Sequence, residues 1–175
     1  EKHNITTWVE PFVGGGGMID NVPDTFRKIG ADLNPHTIAA MLAIRDFPDA
    51  LPDTVTEEEY KSLKGTPPNP ITSWIRFVAS YSGKFDNGYA RDKTERNYAK
   101  EGKSNALKQS PKIQDVEFIC CSYLDLTDKI TNSIIYNDPP YLGATGYKTG
   151  RFNHEELFDW CRLMKSKGNV VFVSE

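Results

Sequence analysis

The sequence predicts an α/β fold in which helices cover both faces of a mostly parallel sheet. Three observations support this prediction. Short runs of β-branched and aromatic residues alternate with helical patterns, the first run ends in four consecutive glycines, and the fourth ends in two consecutive prolines. A chain of 175 residues can form one domain of ordinary size with a small inserted lobe.

Strands and helices follow one another in the alternating order that a parallel sheet requires. A strand is expected wherever a short run of β-branched and aromatic residues lies between turn residues. These runs are 5–9, 29–31, 116–121, 133–137 and 169–174. Helices are expected to begin at the caps Asn34, Thr56 and Asn153, and Glu59 and Glu156 are expected to complete capping boxes at the last two.

The four glycines, Gly14 to Gly17, follow the first strand almost directly. A glycine-rich turn lets a ligand approach backbone that a Cβ would obstruct, and it can present N–H groups. Asp32 ends the second strand, where a carboxylate can accept hydrogen bonds from ribose hydroxyls. A flexible linker is the alternative for the glycines alone. Together with Asp32, the turn predicts a site for a nucleotide-like ligand.

The fourth strand ends at Asp138-Pro139-Pro140-Tyr141. Prolines have no N–H and cannot continue a sheet ladder, and they hold the residue before them in an extended conformation. The result is a stiff corner with one carboxylate, backbone carbonyls and one aromatic ring, at the edge where open α/β sheets bind ligands. A rigid loop with a solvated aspartate is the alternative.

The segment 65–70 is rich in proline and predicts a domain boundary. Residues 1–64 and 113–175 would form the catalytic, cofactor-binding domain, and residues 65–112 a small helical inserted lobe. Residues 71–112 contain nine Lys and Arg against four acids, a net charge of +5 in a chain whose net charge is −3. Tyrosines lie among these charges, and this combination neutralises phosphates and stacks on bases. A solvated basic helix face is the alternative.

The candidate nucleic-acid contacts in this lobe are Lys84, Tyr89, Arg91, Lys93 and Arg96. A second candidate segment, 142–150, contains three glycines together with Tyr147 and Lys148. It predicts a loop able to close over a substrate.

Composition excludes several other classes of protein. No apolar run is long enough to span a bilayer, and the first residues show no signal-peptide pattern. Three cysteines form no disulfide framework, and three scattered histidines complete no zinc site. We therefore expect reduced, strand-buried thiols, no metal, no membrane partner, and a cytoplasmic protein that is a monomer.

A family resemblance rests on two of these motifs. Phe12-Val13-Gly14-Gly15-Gly16, preceded by Glu10 and Pro11, resembles the F-x-G-x-G cofactor motif of S-adenosylmethionine-dependent amino-methyltransferases. Asp138-Pro139-Pro140-Tyr141 resembles their catalytic D-P-P-Y motif. The order of cofactor motif, inserted recognition segment and catalytic motif is similar to that of the D12 class of adenine-specific DNA methyltransferases. Residues 31–34, 121–123 and 133–136 fit the same pattern, so the resemblance covers essentially the whole chain.

The resemblance implies a Rossmann-like S-adenosylmethionine-dependent methyltransferase fold and methyl transfer to adenine in double-stranded DNA. Its catalytic residues would be Asp138, Pro139, Pro140 and Tyr141. Its cofactor contacts would be Glu10, Pro11, Phe12, Gly14, Gly16, Asp32 and Asp138, with Tyr123 against the cofactor's adenine. Its DNA contacts would come from the inserted lobe and from Tyr147 and Lys148.

The chain departs from the family pattern at both ends. It begins at the first strand and ends on the fifth, so a preceding cofactor motif and later strands are missing from this sequence. We therefore expect a truncated gene product of bacterial or phage origin with weakened cofactor binding. The alternatives are a DNA-binding remnant without catalysis, an RNA or protein amino-methyltransferase, and a nicotinamide-dependent oxidoreductase. The last would give Asp138 to Tyr141 no role.

Overall fold

A computed structural model describes residues 5–91, 96–140 and 152–174. Five strands and five α-helices lie within these residues. The strands are β1 (Thr7–Glu10), β2 (Arg27–Asp32), β3 (Val116–Cys120), β4 (Ser133–Asn137) and β5 (Val170–Val173). The helices are α1 (Pro35–Asp46), α2 (Glu57–Ser62), α3 (Pro70–Val78), α4 (Tyr98–Gln109) and α5 (His154–Ser166).

The five strands form one all-parallel sheet in the order β3-β2-β1-β4-β5. All five predicted strands are confirmed, and so is the α/β class with a parallel sheet flanked by helices. Because β1 is followed by β2 and β3 on one side and by β4 and β5 on the other, the direction of winding reverses between β1 and β4. In open α/β sheets this reversal opens a crevice at the carboxyl ends of the two strands.

The chain divides into two compact units. The sheet unit consists of Glu1–Leu33 and Asp115–Glu175, and it contains the whole sheet and α5. The helical unit consists of Asn34–Gln114 and contains α1 to α4. Within the described residues, no helix is long and apolar enough to cross a membrane.

Buried apolar side chains of the sheet and of α5 form the core of the sheet unit. Val9 of β1 and Ile135 of β4 are completely buried, and Leu157 and Met164 of α5 are buried with them. These α5 residues are spaced at helical intervals, so they lie on the one face that packs on the sheet. Asn153 caps the helix by accepting a hydrogen bond from the backbone N–H of Glu156. The apolar face of α5 is thus the face that packs on the sheet.

The helical unit has a core of its own, in which α1 packs against α3. Ala40 and Ala43 of α1 lie with Trp74 of α3 and Ala106 of α4 in one buried cluster. Small alanine side chains allow the helices to approach closely. The helical unit thus begins at Asn34, before the expected boundary at residues 64 and 65, and the predicted division into a catalytic domain and an inserted lobe stays a prediction.

The proline-rich segment 65–70 lies inside the helical unit. Asn69 caps α3 through its side chain, with Pro70 in the first turn. The carbonyl of Thr66 accepts a hydrogen bond from Arg76, and the Arg76 guanidinium also pairs with Asp86. The last proline of this segment, Pro70, therefore marks the start of α3. The assignment of residues 65–112 to DNA recognition stays a prediction.

Two local predictions were wrong. Glu156 does not complete a capping box at α5, because its carboxylate accepts a hydrogen bond from the Tyr123 hydroxyl. Cys120 is exposed, whereas we expected a strand-buried thiol. It is the last residue of β3, an edge strand of the sheet.

Candidate active site at the carboxyl ends of β1 and β4

The two predicted motifs follow adjacent parallel strands. Thr7, Trp8 and Val9 of β1 pair with Ser133, Ile134 and Ile135 of β4. The glycine-rich turn begins just after β1, and Asp138 follows β4 directly. Because paired parallel strands end at the same edge of a sheet, both motifs lie at one edge, where the winding reverses.

The glycine-rich turn is anchored to β2 through Val13. The Val13 N–H donates to the carbonyl of Ala31 over 2.8 Å, and the Val13 side chain is buried against Gly30. Beyond this anchor, Gly14 and Gly16 have φ values of +49° and +70°, in the left-handed region that disfavours other residues. A Cβ added at Gly14 or Gly15 would meet no atom within 4 Å. The turn therefore has open space over its backbone.

Asp32 ends β2 beside this turn. Its Oδ2 accepts a hydrogen bond of 3.3 Å from the N–H of Gly14. The turn does not lead into an α-helix, as a strand-to-helix turn would. A three-residue 3₁₀ turn, Ile19–Asn21, follows it. A ligand at this turn would therefore meet exposed glycine backbone and a carboxylate, without the dipole of a long helix.

Aromatic side chains form one wall next to the turn. The Phe12 ring lies 5.5 Å from the Tyr123 ring and 5.6 Å from the Phe152 ring, measured between centroids. Tyr123 is only 8 % exposed, and its ring also packs edge-on against Trp160 in the core. Burial, together with the Glu156 carboxylate, raises the pKa of Tyr123 to about 12, so its hydroxyl remains protonated. Tyr123 is thus a core residue that supports Phe12.

Glu10 is the last residue of β1, and its side chain is almost completely buried, with 3 % of the residue exposed. The indole N–H of Trp8 donates a hydrogen bond of 2.8 Å to its Oε1. Burial raises the pKa of Glu10 to about 7, against the lowering effect of the Trp8 hydrogen bond. The negative charges of Asp138 and Asp20 add to the rise. The Glu10 carboxyl group is therefore near enough to Asp138, and to Asp20 beyond the glycine-rich turn, for their charges to affect its pKa.

Asp138 is exposed at the corner, whereas Pro139 behind it is buried. Its Oδ1 accepts a hydrogen bond of 2.6 Å from the hydroxyl of Ser174, just beyond β5. Sequence analysis did not identify Ser174, because nothing in a strand-ending serine distinguishes it from other polar strand ends. Tyr141, Tyr147 and Lys148 lie outside the described residues.

The predicted DNA contacts of the helical unit have different environments. Arg91 forms an ion pair with Glu57, and Arg96 forms one with Glu101. The Tyr89 hydroxyl donates to the carbonyl of Val55 over 2.7 Å, so this ring is fixed by the fold. Lys84 is exposed. Lys93 lies outside the described residues.

The described residues contain no cluster of three or more His, Cys, Asp or Glu side chains suited to a metal ion. The groups at the site are glycine backbone, the carboxylates of Asp32 and Asp138, and aromatic rings. This set suits a nucleotide-like organic ligand.

An all-parallel sheet whose strand order reverses between β1 and β4 defines a Rossmann-like α/β protein. A model of the D12 class N6 adenine-specific DNA methyltransferases matches residues 1–68 and 77–174. The chain therefore belongs to this family of methyltransferases that act on adenine in DNA. A search of curated proteins gave no significant match.

Proposed function

We propose that this protein transfers a methyl group from S-adenosylmethionine to the exocyclic amine of adenine at specific sites in double-stranded DNA. The observation that carries the proposal is the pairing of β1 with β4, which brings the glycine turn and the Asp138 corner to one edge of the sheet. In this proposal the protein works in the cytoplasm as a monomer, in a restriction-modification system or as a phage or orphan enzyme.

The open turn and the Asp32 carboxylate suit a nucleoside cofactor. The backbone at Gly14 and Gly15 has room for a ligand, and Asp32 can accept hydrogen bonds from ribose hydroxyls. Phe12, together with Glu10, Pro11 and Gly16, would complete the pocket, and Tyr123, whose ring contacts Phe12, is proposed to lie against the adenine of the cofactor. The bound cofactor would supply an electrophilic methyl group.

Asp138 and Pro139 would orient the acceptor. The exocyclic amine of adenine is a weak nucleophile because its lone pair delocalises into the ring. The Asp138 carboxylate and the Pro139 carbonyl can each accept one hydrogen of the amine, which turns the lone pair toward the methyl donor. The carboxylate also stabilises the positive charge that develops on the amine.

The base must leave the duplex to reach this corner, because an amine inside a base pair cannot approach the donor. Tyr141 is proposed to stack on the extruded base, next to Pro140. Lys84, Tyr89, Arg91, Lys93 and Arg96, with Tyr147 and Lys148, are proposed to contact DNA. Arg91 and Arg96 would have to exchange their ion pairs with Glu57 and Glu101 for phosphates, so Lys84 is the simplest candidate.

The decisive test is transfer of labelled methyl groups from S-adenosylmethionine to unmethylated duplex DNA. We expect transfer by the wild-type protein and none by Asp138→Ala, with DNA affinity unchanged. Asp159→Ala is the matched control, since Asp159 is an exposed residue of α5 paired with Arg162. Equal transfer by wild type and Asp138→Ala would remove Asp138 from the mechanism.

Two other results would support the alternative functions. Saturable DNA binding without cofactor binding would indicate a DNA-binding protein that does not catalyse. Faster methyl transfer to RNA than to DNA would indicate that RNA is the substrate.

A further inference from the structure

The end of β5 is bonded to the Asp138 corner at two points. Asn137 of β4 pairs with Val173 of β5, so the next residues of the two strands, Asp138 and Ser174, lie side by side. The Ser174 N–H donates to the Asn137 carbonyl over 2.8 Å. The Ser174 hydroxyl donates to Oδ1 of Asp138 over 2.6 Å. The hydroxyl is thus held by the sheet and directed at the carboxylate.

Asp138 needs such a restraint because its backbone does not provide one. Pro139 keeps the Asp138 backbone extended but does not fix the side-chain torsions, and the carboxylate torsion of aspartate has a broad distribution. The Asp138 side chain is also exposed, so surrounding packing does little to hold it. A hydroxyl donating to a carboxylate at 2.6 Å is a charge-assisted hydrogen bond, stronger than one between neutral groups.

We propose that Ser174 is a positioning residue for methyl transfer, whose hydroxyl holds Oδ1 of Asp138 so that the carboxylate keeps the orientation that accepts a hydrogen of the adenine amine. This proposal rests on the proposed function. Ser174 itself touches neither substrate nor cofactor; it acts through Asp138. Misplacement of a reacting group by about 1 Å can reduce the rate by about a hundredfold, so loss of this hydroxyl should be visible in the chemical step.

Substitutions at Ser174 can separate the hydroxyl from the strand. Ser174→Ala removes the hydroxyl and keeps the backbone N–H that bonds Asn137. Ser174→Thr keeps a hydroxyl, and Ser174→Val has nearly the same shape as threonine without it. The threonine and valine variants therefore differ in the hydrogen bond alone.

The experiment measures the single-turnover rate of methyl transfer with saturating S-adenosylmethionine and DNA, together with the Kd of each. We expect Ser174→Ala and Ser174→Val to react about tenfold or more slowly with both Kd values unchanged, and Ser174→Thr to regain most of the rate. A rate for Ser174→Ala equal to that of the wild type would overturn the proposal. Equal slowing in the threonine and valine variants would also overturn it, since the hydroxyl would then be irrelevant.

A second readout does not depend on activity. The ¹³C resonance of the Asp138 carboxyl group, assigned by its loss in Asp138→Asn, should move in Ser174→Ala and Ser174→Val but not in Ser174→Thr. An unchanged resonance in Ser174→Ala would exclude the hydrogen bond and the inference with it. If the wild-type protein transfers no methyl group, the proposed function fails together with the role of Ser174 in it. The inference fails alone when the wild type is active and one of three results is found: an equally active Ser174→Ala, equal slowing in the threonine and valine variants, or an unchanged Asp138 resonance in Ser174→Ala.

Discussion

The Glu10 carboxyl group makes folding depend on pH. Its pKa is raised from 4.5 to about 7 in the folded protein, chiefly by burial. A raised pKa in the folded state means that folding favours the protonated form. The stabilising contribution is therefore complete below pH 4.5 and is lost as the pH rises through about 7.

Replacing Glu10 with glutamine should abolish this dependence. The glutamine side chain can still accept the Trp8 hydrogen bond, but it does not titrate. Between pH 4.5 and pH 8 we expect the free energy of unfolding of the wild type to fall, relative to Glu10→Gln, by on the order of 3 kcal/mol. Urea denaturation at several pH values measures both curves.

Comparing the two proteins at each pH cancels the titration of all other groups. Glu58→Gln, at an exposed position of α2, is the matched control and should follow the wild-type curve. Parallel curves for the wild type and Glu10→Gln would mean that burial does not change the titration of Glu10.

At the scale of single elements, Gly30 of β2 sets how closely the glycine-rich turn approaches the sheet. A Cβ at this position would lie 2.9 Å from the Val13 side chain and 3.1 Å from the Phe118 ring, and Val13 and Gly30 are both buried. Val13 anchors the glycine-rich turn to β2, so extra volume at Gly30 would push directly on the backbone of this turn.

We expect Gly30→Ala to lower the free energy of unfolding by about 1–3 kcal/mol, the usual cost of overpacking a core. Chemical denaturation provides the measurement. Gly17→Ala makes the same chemical change where no atom lies within 4 Å, and it should cost much less. Similar losses in the two variants would show that steric crowding at Val13 is not the cause.

Local sequence was sufficient for elements whose determinants lie within a few residues. The strand 133–137 has the predicted bounds, and the predicted caps Asn34 and Thr56 form, the latter with Glu59 in a capping box. These features depend on β-branched runs and on side chains that bond their own backbone neighbours. The side-by-side position of the two motifs followed from the rule that parallel strands share an edge.

Features that depend on contacts between distant residues could not be predicted. The side chain of Lys28, the second residue of β2, is completely buried, and it pairs with the nearby Asp24 at 2.9 Å and with the distant Asp115 at 3.1 Å. Glu156 bonds to Tyr123, which lies far away in sequence. The packing of α1 with α3 likewise depends on the tertiary fit of alanines around Trp74. No periodicity or spacing rule specifies such partners.

At the scale of the whole molecule, positive charge is unevenly distributed, but less so than the sequence segment 71–112 suggests. The helical unit contains twelve Lys and Arg against ten Asp and Glu, because the acidic helix α2 belongs to it. Its net charge is therefore +2, and the sheet unit accounts for −5. Affinity for DNA would then depend on individually exposed cations more than on a strong overall field.

Lys84 is an exposed cation of the helical unit and is predicted to contact a DNA phosphate. If Lys84 neutralises one phosphate, Lys84→Gln should weaken DNA binding about equally for different sequences. It should also reduce the slope of log K against log salt concentration by about 0.9. Fluorescence anisotropy between low and moderate salt concentration measures this slope.

Lys64→Gln is the matched control, because Lys64 is exposed just after α2 and its loss changes the net charge by the same amount. It should leave the salt dependence unchanged, because Lys64 lies outside the segment predicted to contact DNA. If both variants reduce the slope equally, net charge controls binding and Lys84 has no specific contact. If neither does, DNA contacts lie elsewhere in the molecule. Only a difference between these two exposed lysines separates a phosphate contact from the effect of net charge, since each substitution removes one positive charge.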